Sequence, residues 1–363
     1  MIKKYTLLLW TICSVVIVSC SGDEDYTSID EPVLISPVNF DINSVPYQTL
    51  SEYNFYEGDA SALEPVYGLV PYTLANTLFS DYSKKKRFIW MPSNVKATYD
   101  GDHSPLNFPV GTILIKNFYY DNVLPSGDTR VIETRLMIRK DEGWIFANYV
   151  WNEGQTDATL DMSGSFTAFD WEENGETKSV NYRIPAGPEC HTCHKSGEIP
   201  IPIGPKPRNL NLTYSFEDGV KNQLQKLIDM NYLEDNLPSD IQTMVKWDDT
   251  SQPLHERVRS YVDVNCAHCH MEEAHCAYRP IRFNYDSTDE DVNLGICVEP
   301  DTNLGQGLTH IVSPSHFLRS VMYYRINSTD ESVRMPLLGR TLVHEEGVQL
   351  VYDWIESLQM TCE

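Results

Sequence analysis

Two pentapeptides in this chain share one pattern, Cys190-His191-Thr192-Cys193-His194 and Cys266-Ala267-His268-Cys269-His270. Both read C-x-x-C-H. Thiols three positions apart can each form a thioether with one vinyl group of a haem, and the histidine that follows is held where its imidazole ligates the iron. With nine cysteines and ten histidines in 363 residues, chance supplies only about 0.006 such motifs, so a coincidental pair is a poor explanation. The pattern predicts two covalently bound c-type haems. Cys190, Cys193, Cys266 and Cys269 would be the attachment points, and His194 and His270 the proximal iron ligands.

A distal ligand for the second iron is expected from Arg334-Met335-Pro336-Leu337-Leu338-Gly339, a short way before the last helical pattern. A Met335 thioether would favour Fe(II), raise the potential and close the iron to small ligands. A buried core methionine is the alternative. The first haem has no single distal candidate. Met230, Met244, Met162, Met91, His103 and His310 stay open, as does a five-coordinate iron. His191, His255, His268, His275, His316 and His344 read as ordinary polar residues. Arg208, Arg325 and Arg334 lie near the haem segments, as propionate partners or as plain surface arginines.

Three other chemistries compete. Two C-x-x-C pairs can build a four-cysteine zinc site, but zinc does not account for a histidine after both pairs. A thiol–disulfide oxidoreductase needs a βαβ surround, which neither motif has. A di-haem peroxidase or oxidase would use one five-coordinate haem, which the undetermined distal side of the first haem permits. Against it, the motifs are only 76 positions apart. An electron carrier is the better fit to the residues than a catalyst.

The amino terminus points to export. Lys3 and Lys4 precede an apolar run over 7–18, too short to span a bilayer, and Ile17-Val18-Ser19-Cys20 has the form of a lipobox. Cys20 is then the lipidated residue, anchoring the protein in the periplasm, at the outer membrane or at the cell surface. A plain secretory signal is the alternative. The formal charge of −24 becomes −26 once a leader with two lysines and no acid is removed. Such a charge argues against nucleic acid and anionic lipid surfaces as partners and complements a basic redox protein, with an acidic surface that keeps an exported protein soluble as the alternative. Of the cysteines left over, Cys276 and Cys297 are the expected disulfide pair, with Cys362 free.

The chain divides into a leader (1–19), an acidic tether (20–45), a β-rich domain (46–187), a first haem segment with a helix (188–245) and a second haem domain (246–363). Strand patterns at 86–90, 112–120, 130–138, 144–151 and 180–184 are separated by turn residues at 125–128, 140–143 and 173–176. They predict an antiparallel sandwich or barrel. Helical patterns follow at 218–233, 255–264, 316–324 and 345–358. The fold class is therefore α+β, a β-rich half followed by an all-α domain.

From residue 250 onward, a helix leads into C-x-x-C-H, then come a loop, Met335-Pro336 and a final amphipathic helix. This order resembles the class I cytochrome c fold, which implies crossing first and last helices and a methionine ligand from the loop. Most of 65–360 also resembles a family of predicted di-haem c-type cytochromes. The likeness runs through Phe79-Ser80-Asp81-Tyr82, Phe108-Pro109-Val110-Gly111-Thr112, 144–158, Asn265-Cys266-Ala267-His268-Cys269-His270 and Asp353-Trp354-Ile355. That resemblance implies haem binding and electron transfer, with no defined substrate.

Overall fold

Alternating residues between 70 and 184 build one eight-stranded antiparallel sheet in the computed structural model, which describes residues 34–362. The leader and Cys20 lie outside the described residues. β1 (Val70–Tyr72), β2 (Lys84–Trp90), β3 (Ile113–Val123), β4 (Asp128–Lys140), β5 (Gly143–Trp151) and β6 (Ala158–Leu160) are neighbours in chain order. β7 (Ser165–Glu173) and β8 (Glu176–Ile184) form a hairpin that joins β3 at Val123↔Trp171. Its turn, Asn174-Gly175, has both residues at positive φ, 54° and 82°, the backbone that a tight two-residue hairpin demands. The expected sandwich or barrel is thus a single sheet, because other parts of the chain cover each of its faces.

One face carries Phe88, Ile113, Ile115, Leu136, Ile138 and Tyr149, packed under Val45, Leu50, Tyr53 and Phe55. Residues 36–45, read from sequence as tether, belong to this layer. Phe40 lies 5.2 Å from Trp90, and Trp90 Nε1 donates to Ser36 Oγ at 3.0 Å. The opposite face carries Ile89 and Leu114 and packs against Leu210, Leu224, Leu227 and Leu233. With both faces covered, Ile113-Leu114-Ile115 is buried without a break, so the strands show less alternation than a half-exposed sheet would.

The chain then enters α1 (Gly187–Cys193), which is the first motif itself, and returns along the second face through α2 (Pro207–Leu210) and α3 (Gln223–Asp229). The helix expected over 218–233 is half hairpin. Thr213–Phe216 pairs with Gly219–Asn222, and only Gln223–Asp229 is helical. Gly219 at φ 118° follows Asp218 in the turn. Asn222 then caps the helix, its side chain accepting from Leu224 N at 2.9 Å. The turn and cap chemistry override the apolar periodicity, and Val220 stays exposed.

The last third is not an all-α domain. α4 (Leu254–Val262), α5 (Val321–Ile326) and α6 (Glu345–Ser357) are its α-helices among the described residues, and long irregular segments separate them. The helix expected over 316–324 is interrupted at Ser320, whose Oγ accepts from Ser313 N at 2.8 Å. α4 and α6 pack through Val258, Val262, Val351, Trp354 and Ile355. Their approach is close enough that a Cβ on Gly347 would stand 2.2 Å from Tyr261 Oη, so only glycine fits there.

The disulfide joins Cys297 to Cys362 rather than to Cys276, which is free. It ties the last turn of chain to the segment beside the second motif across 65 positions. Loop-closure entropy for that span amounts to about 4 kcal/mol. Cys362→Ser is expected to lower unfolding free energy by about that amount in urea titrations, with the protein still folded.

Candidate functional site

The strand–helix connection that delivers the first motif is short. β8 ends at Ile184, and the Ala186 backbone N–H is met by Glu189 Oε2 at 2.9 Å. α1 therefore starts at once and presents Cys190 and Cys193 on one side. The backbone then turns back, and His194 Nδ1 lies 3.1 Å from the Ile201 carbonyl. That contact fixes the Nδ1–H tautomer and leaves Nε2 free to ligate. Burial keeps His194 neutral, with its pKa lowered to about 4.

The second motif forms as α4 widens into a turn of π-helix over Asp263–Ala267. Asn265, buried at this turn, accepts from Phe79 N at 2.9 Å and donates to Tyr261 O at 3.0 Å. His270 is also held neutral by burial, with a pKa lowered to about 4, and its Nδ1 is buried without a partner.

Each motif opens on its own cavity. The first, about 180 Å³, is lined by Cys190, Cys193 and His194 together with sheet residues. The second, about 270 Å³, is lined by Cys266, Cys269, His270 and Met335. Cys193 and His268 border both cavities. The sulfurs of Cys193 and Cys269 and a ring nitrogen of His268 all lie within 4.8 Å of one another. The motifs, 76 positions apart in sequence, are therefore in contact. A second tie supports this, since Gly197 N donates to Glu273 O at 2.8 Å and Ser196 Oγ to Glu273 Oε2 at 2.7 Å. Cys269 Sγ donates to the Thr192 carbonyl at 3.5 Å, and the closeness of the two sulfurs holds Cys193 well below and Cys269 above the ordinary thiol range.

Met335 is held by its own backbone. Arg340, buried, donates from Nη2 to the Met335 carbonyl at 2.8 Å and to the Ser328 carbonyl at 2.9 Å, and from Nη1 to the Leu342 carbonyl at 2.9 Å. One guanidinium thus fastens the loop on both sides of the methionine. The loop is also bound to the β-rich part. Asp81, buried, accepts from Thr341 N at 2.7 Å, Leu342 N at 2.8 Å and Thr341 Oγ1 at 3.0 Å.

Several sequence readings change. None of Met230, Met244, Met162, Met91, His103 and His310 lines the first cavity. Met91 and Met244 are core residues, Met162 Sδ accepts from Asn148 N, and His103 Nδ1 lies 3.1 Å from Arg208. Met137, on β4, lines that cavity instead, and nothing but strand register marks it out. His268, taken as an ordinary polar residue, sits where the motifs meet. Of the three candidate arginines, Arg325 lines the second cavity, and Arg208 and Arg334 line neither of the two. Arg208 stacks on Tyr285 and Arg334 pairs with Glu331.

His344, also taken as ordinary, is enclosed. Its ring stacks on Phe79 at 4.2 Å, with Nδ1 3.1 Å from Tyr261 Oη. Burial lowers its pKa from 6.5 to about 4. Above pH 6.5 the ring is neutral in both folded and unfolded chains. As pH falls from 6.5 to 4 the unfolded chain takes up the proton first, so stability is lost with acidification, by about 3 kcal/mol at this residue. His344→Phe is expected to flatten the decline between pH 6.5 and 4 in urea titrations by that amount.

No protein-family model, curated protein or solved structure matches the chain.

Proposed function

We propose that this protein is an exported di-haem c-type cytochrome that carries electrons. The single observation behind this reading is the placement of two C-x-x-C-H motifs side by side, each on its own cavity. The side chains present suit the group. The four motif thiols are free. Both proximal imidazoles are neutral, His194 is oriented through Nδ1, and Met335 shares the cavity of His270.

Haem c supplies reversible one-electron chemistry. The chain's part is to attach and ligate through Cys190, Cys193 and His194, and through Cys266, Cys269, His270 and Met335. It also keeps water from the apolar walls and sets the spacing through the Cys193–Cys269 contact. α4, which runs into the second motif, packs against α6. The net charge of −24 favours a basic redox partner. Cys20 would anchor the mature chain by lipid. No helix among the described residues is long and apolar enough to cross a membrane.

A second reading rests on the Cys193, His268 and Cys269 cluster, which offers three ligand atoms to a metal such as zinc. One experiment separates the two. The protein is produced with a c-type haem maturation system and assayed by pyridine haemochrome, denaturing-gel haem stain and metal analysis. Two covalent haems per chain and no zinc support the cytochrome, whereas zinc without haem overturns it. Peroxide added to the reduced holoprotein then tests for catalysis, and turnover would favour a peroxidase over a carrier.

A further inference from the structure

On the sheet face that borders the first cavity, register sets Arg87 opposite Lys116, Lys116 opposite Arg135 and Arg135 opposite Asn148. Four adjacent strands thus contribute one row, and all four side chains line the cavity. Like charges directly opposite on a sheet repel, and a buried cation without a partner is costly. Arg135 is compensated, because its Nε and Nη2 donate to Glu133 at 3.0 and 2.5 Å, and Tyr182 Oη donates to the same carboxylate at 2.7 Å. Arg87, only 5% exposed, has no side-chain hydrogen bond or ion pair among the described residues. Lys116 is half-buried, with its Nζ 4.6 Å from the centre of the Phe118 ring, and likewise has no hydrogen bond or ion pair among the described residues. Asn148, 4% exposed, leaves both Oδ1 and Nδ2 buried without partners. The acid at this cavity, Glu189, is already engaged by Arg183 Nη2 at 2.5 Å and Ala186 N at 2.9 Å.

Two unpaired cations and an unpaired amide therefore face one space whose other walls include Leu74, Leu114, Met137 and Phe146. The ligand that satisfies both parts has an apolar body and a carboxylate end, since carboxylate oxygens match guanidinium and amide donors. We propose that Arg87, Lys116 and Asn148, backed by Arg135, form a binding site for carboxylate groups. The site rests on the di-haem reading for its first source of carboxylate, the propionates of the haem on Cys190, Cys193 and His194. The second source is a free carboxylate such as a fatty acid.

The test uses the full-length purified protein as wild type, Arg87→Gln/Lys116→Met and the charge-keeping Arg87→Lys/Lys116→Arg. Haem content is counted first. Propionates in the site predict that the neutral variant keeps its haem count and thermal midpoint, shifts the propionate bending mode in resonance Raman, and lowers the potential of one haem. The charge-keeping variant would restore both signals, and added octanoate would not bind. A free carboxylate predicts octanoate binding by calorimetry, at least about tenfold weaker in the neutral variant, with the propionate mode unmoved. A haem count of zero removes the cytochrome reading, while the octanoate arm still decides the site. If the double variant does not fold, Lys116→Met alone carries the same readouts. The proposal is overturned if neither the Raman mode nor octanoate affinity distinguishes neutral variant from wild type.

Discussion

With haem on the second motif as proposed, Met335→Ala is expected to abolish the far-red charge-transfer band of a methionine-ligated haem, and to let carbon monoxide bind the reduced iron in full stoichiometry. Met335 and His270 line one cavity. A sulfur ligand holds the reduced state and blocks the sixth position. Its removal opens that position and lowers the potential. Arg340 gives the graded control. It touches the Met335 backbone rather than the cavity's reacting atoms, so it is a positioning residue. Arg340→Met is expected to weaken the band and broaden it, leaving carbon monoxide binding partial. An unchanged band in Met335→Ala would remove the ligand assignment.

Asp81→Ala is expected to cost about 3 kcal/mol of unfolding free energy, less than its three hydrogen bonds alone would give because burial disfavours the carboxylate charge and pushes its pKa up. Three donors converge on this carboxylate from Thr341 and Leu342, and hydrogen bonds to a buried charged acceptor contribute about 1.5–3 kcal/mol each. The segment it holds, Thr341-Leu342, lies beyond Met335 and next to Arg340, which donates to the Met335 carbonyl. Neighbours reinforce the same junction, with Tyr82 Oη donating to Glu346 Oε2 at 3.0 Å and accepting from Glu345 N at 3.1 Å. Loss of Asp81 therefore loosens the Met335 loop as well. The far-red band is expected to fade in parallel with the fall in the urea midpoint. Asp81→Asn, which keeps one acceptor oxygen, is expected to lie between.

Much of the fold was legible because strands and their turns are local. Beta-branched and aromatic runs over 84–90, 113–123, 128–140, 143–151 and 176–184 fell close to the patterns read from residues alone. β7 was missed because Ser165–Glu173 alternates with exposed charged and polar residues and has one well-buried side. The 218–233 segment was misread because Asp218-Gly219 and Asn222 make a turn and a cap that apolar periodicity does not register. The Cys297–Cys362 bond was misassigned because pairing depends on where the chain end returns, which spacing does not encode.

Residues alone place two thiols and an imidazole within about one turn of chain in each C-x-x-C-H motif. They also determine the charge and most of the strands. Packing between distant segments brings Cys193, His268 and Cys269 together, puts Met335 in one cavity with His270, and lets Asp81 hold Thr341 and Leu342 beyond the methionine. It also aligns Arg87, Lys116, Arg135 and Asn148 across four strands. The physical reason is range. Turns, caps and adjacent ligands are set by neighbours a few residues away, whereas a cross-strand row or a shared cavity depends on register and packing between segments tens to hundreds of residues apart.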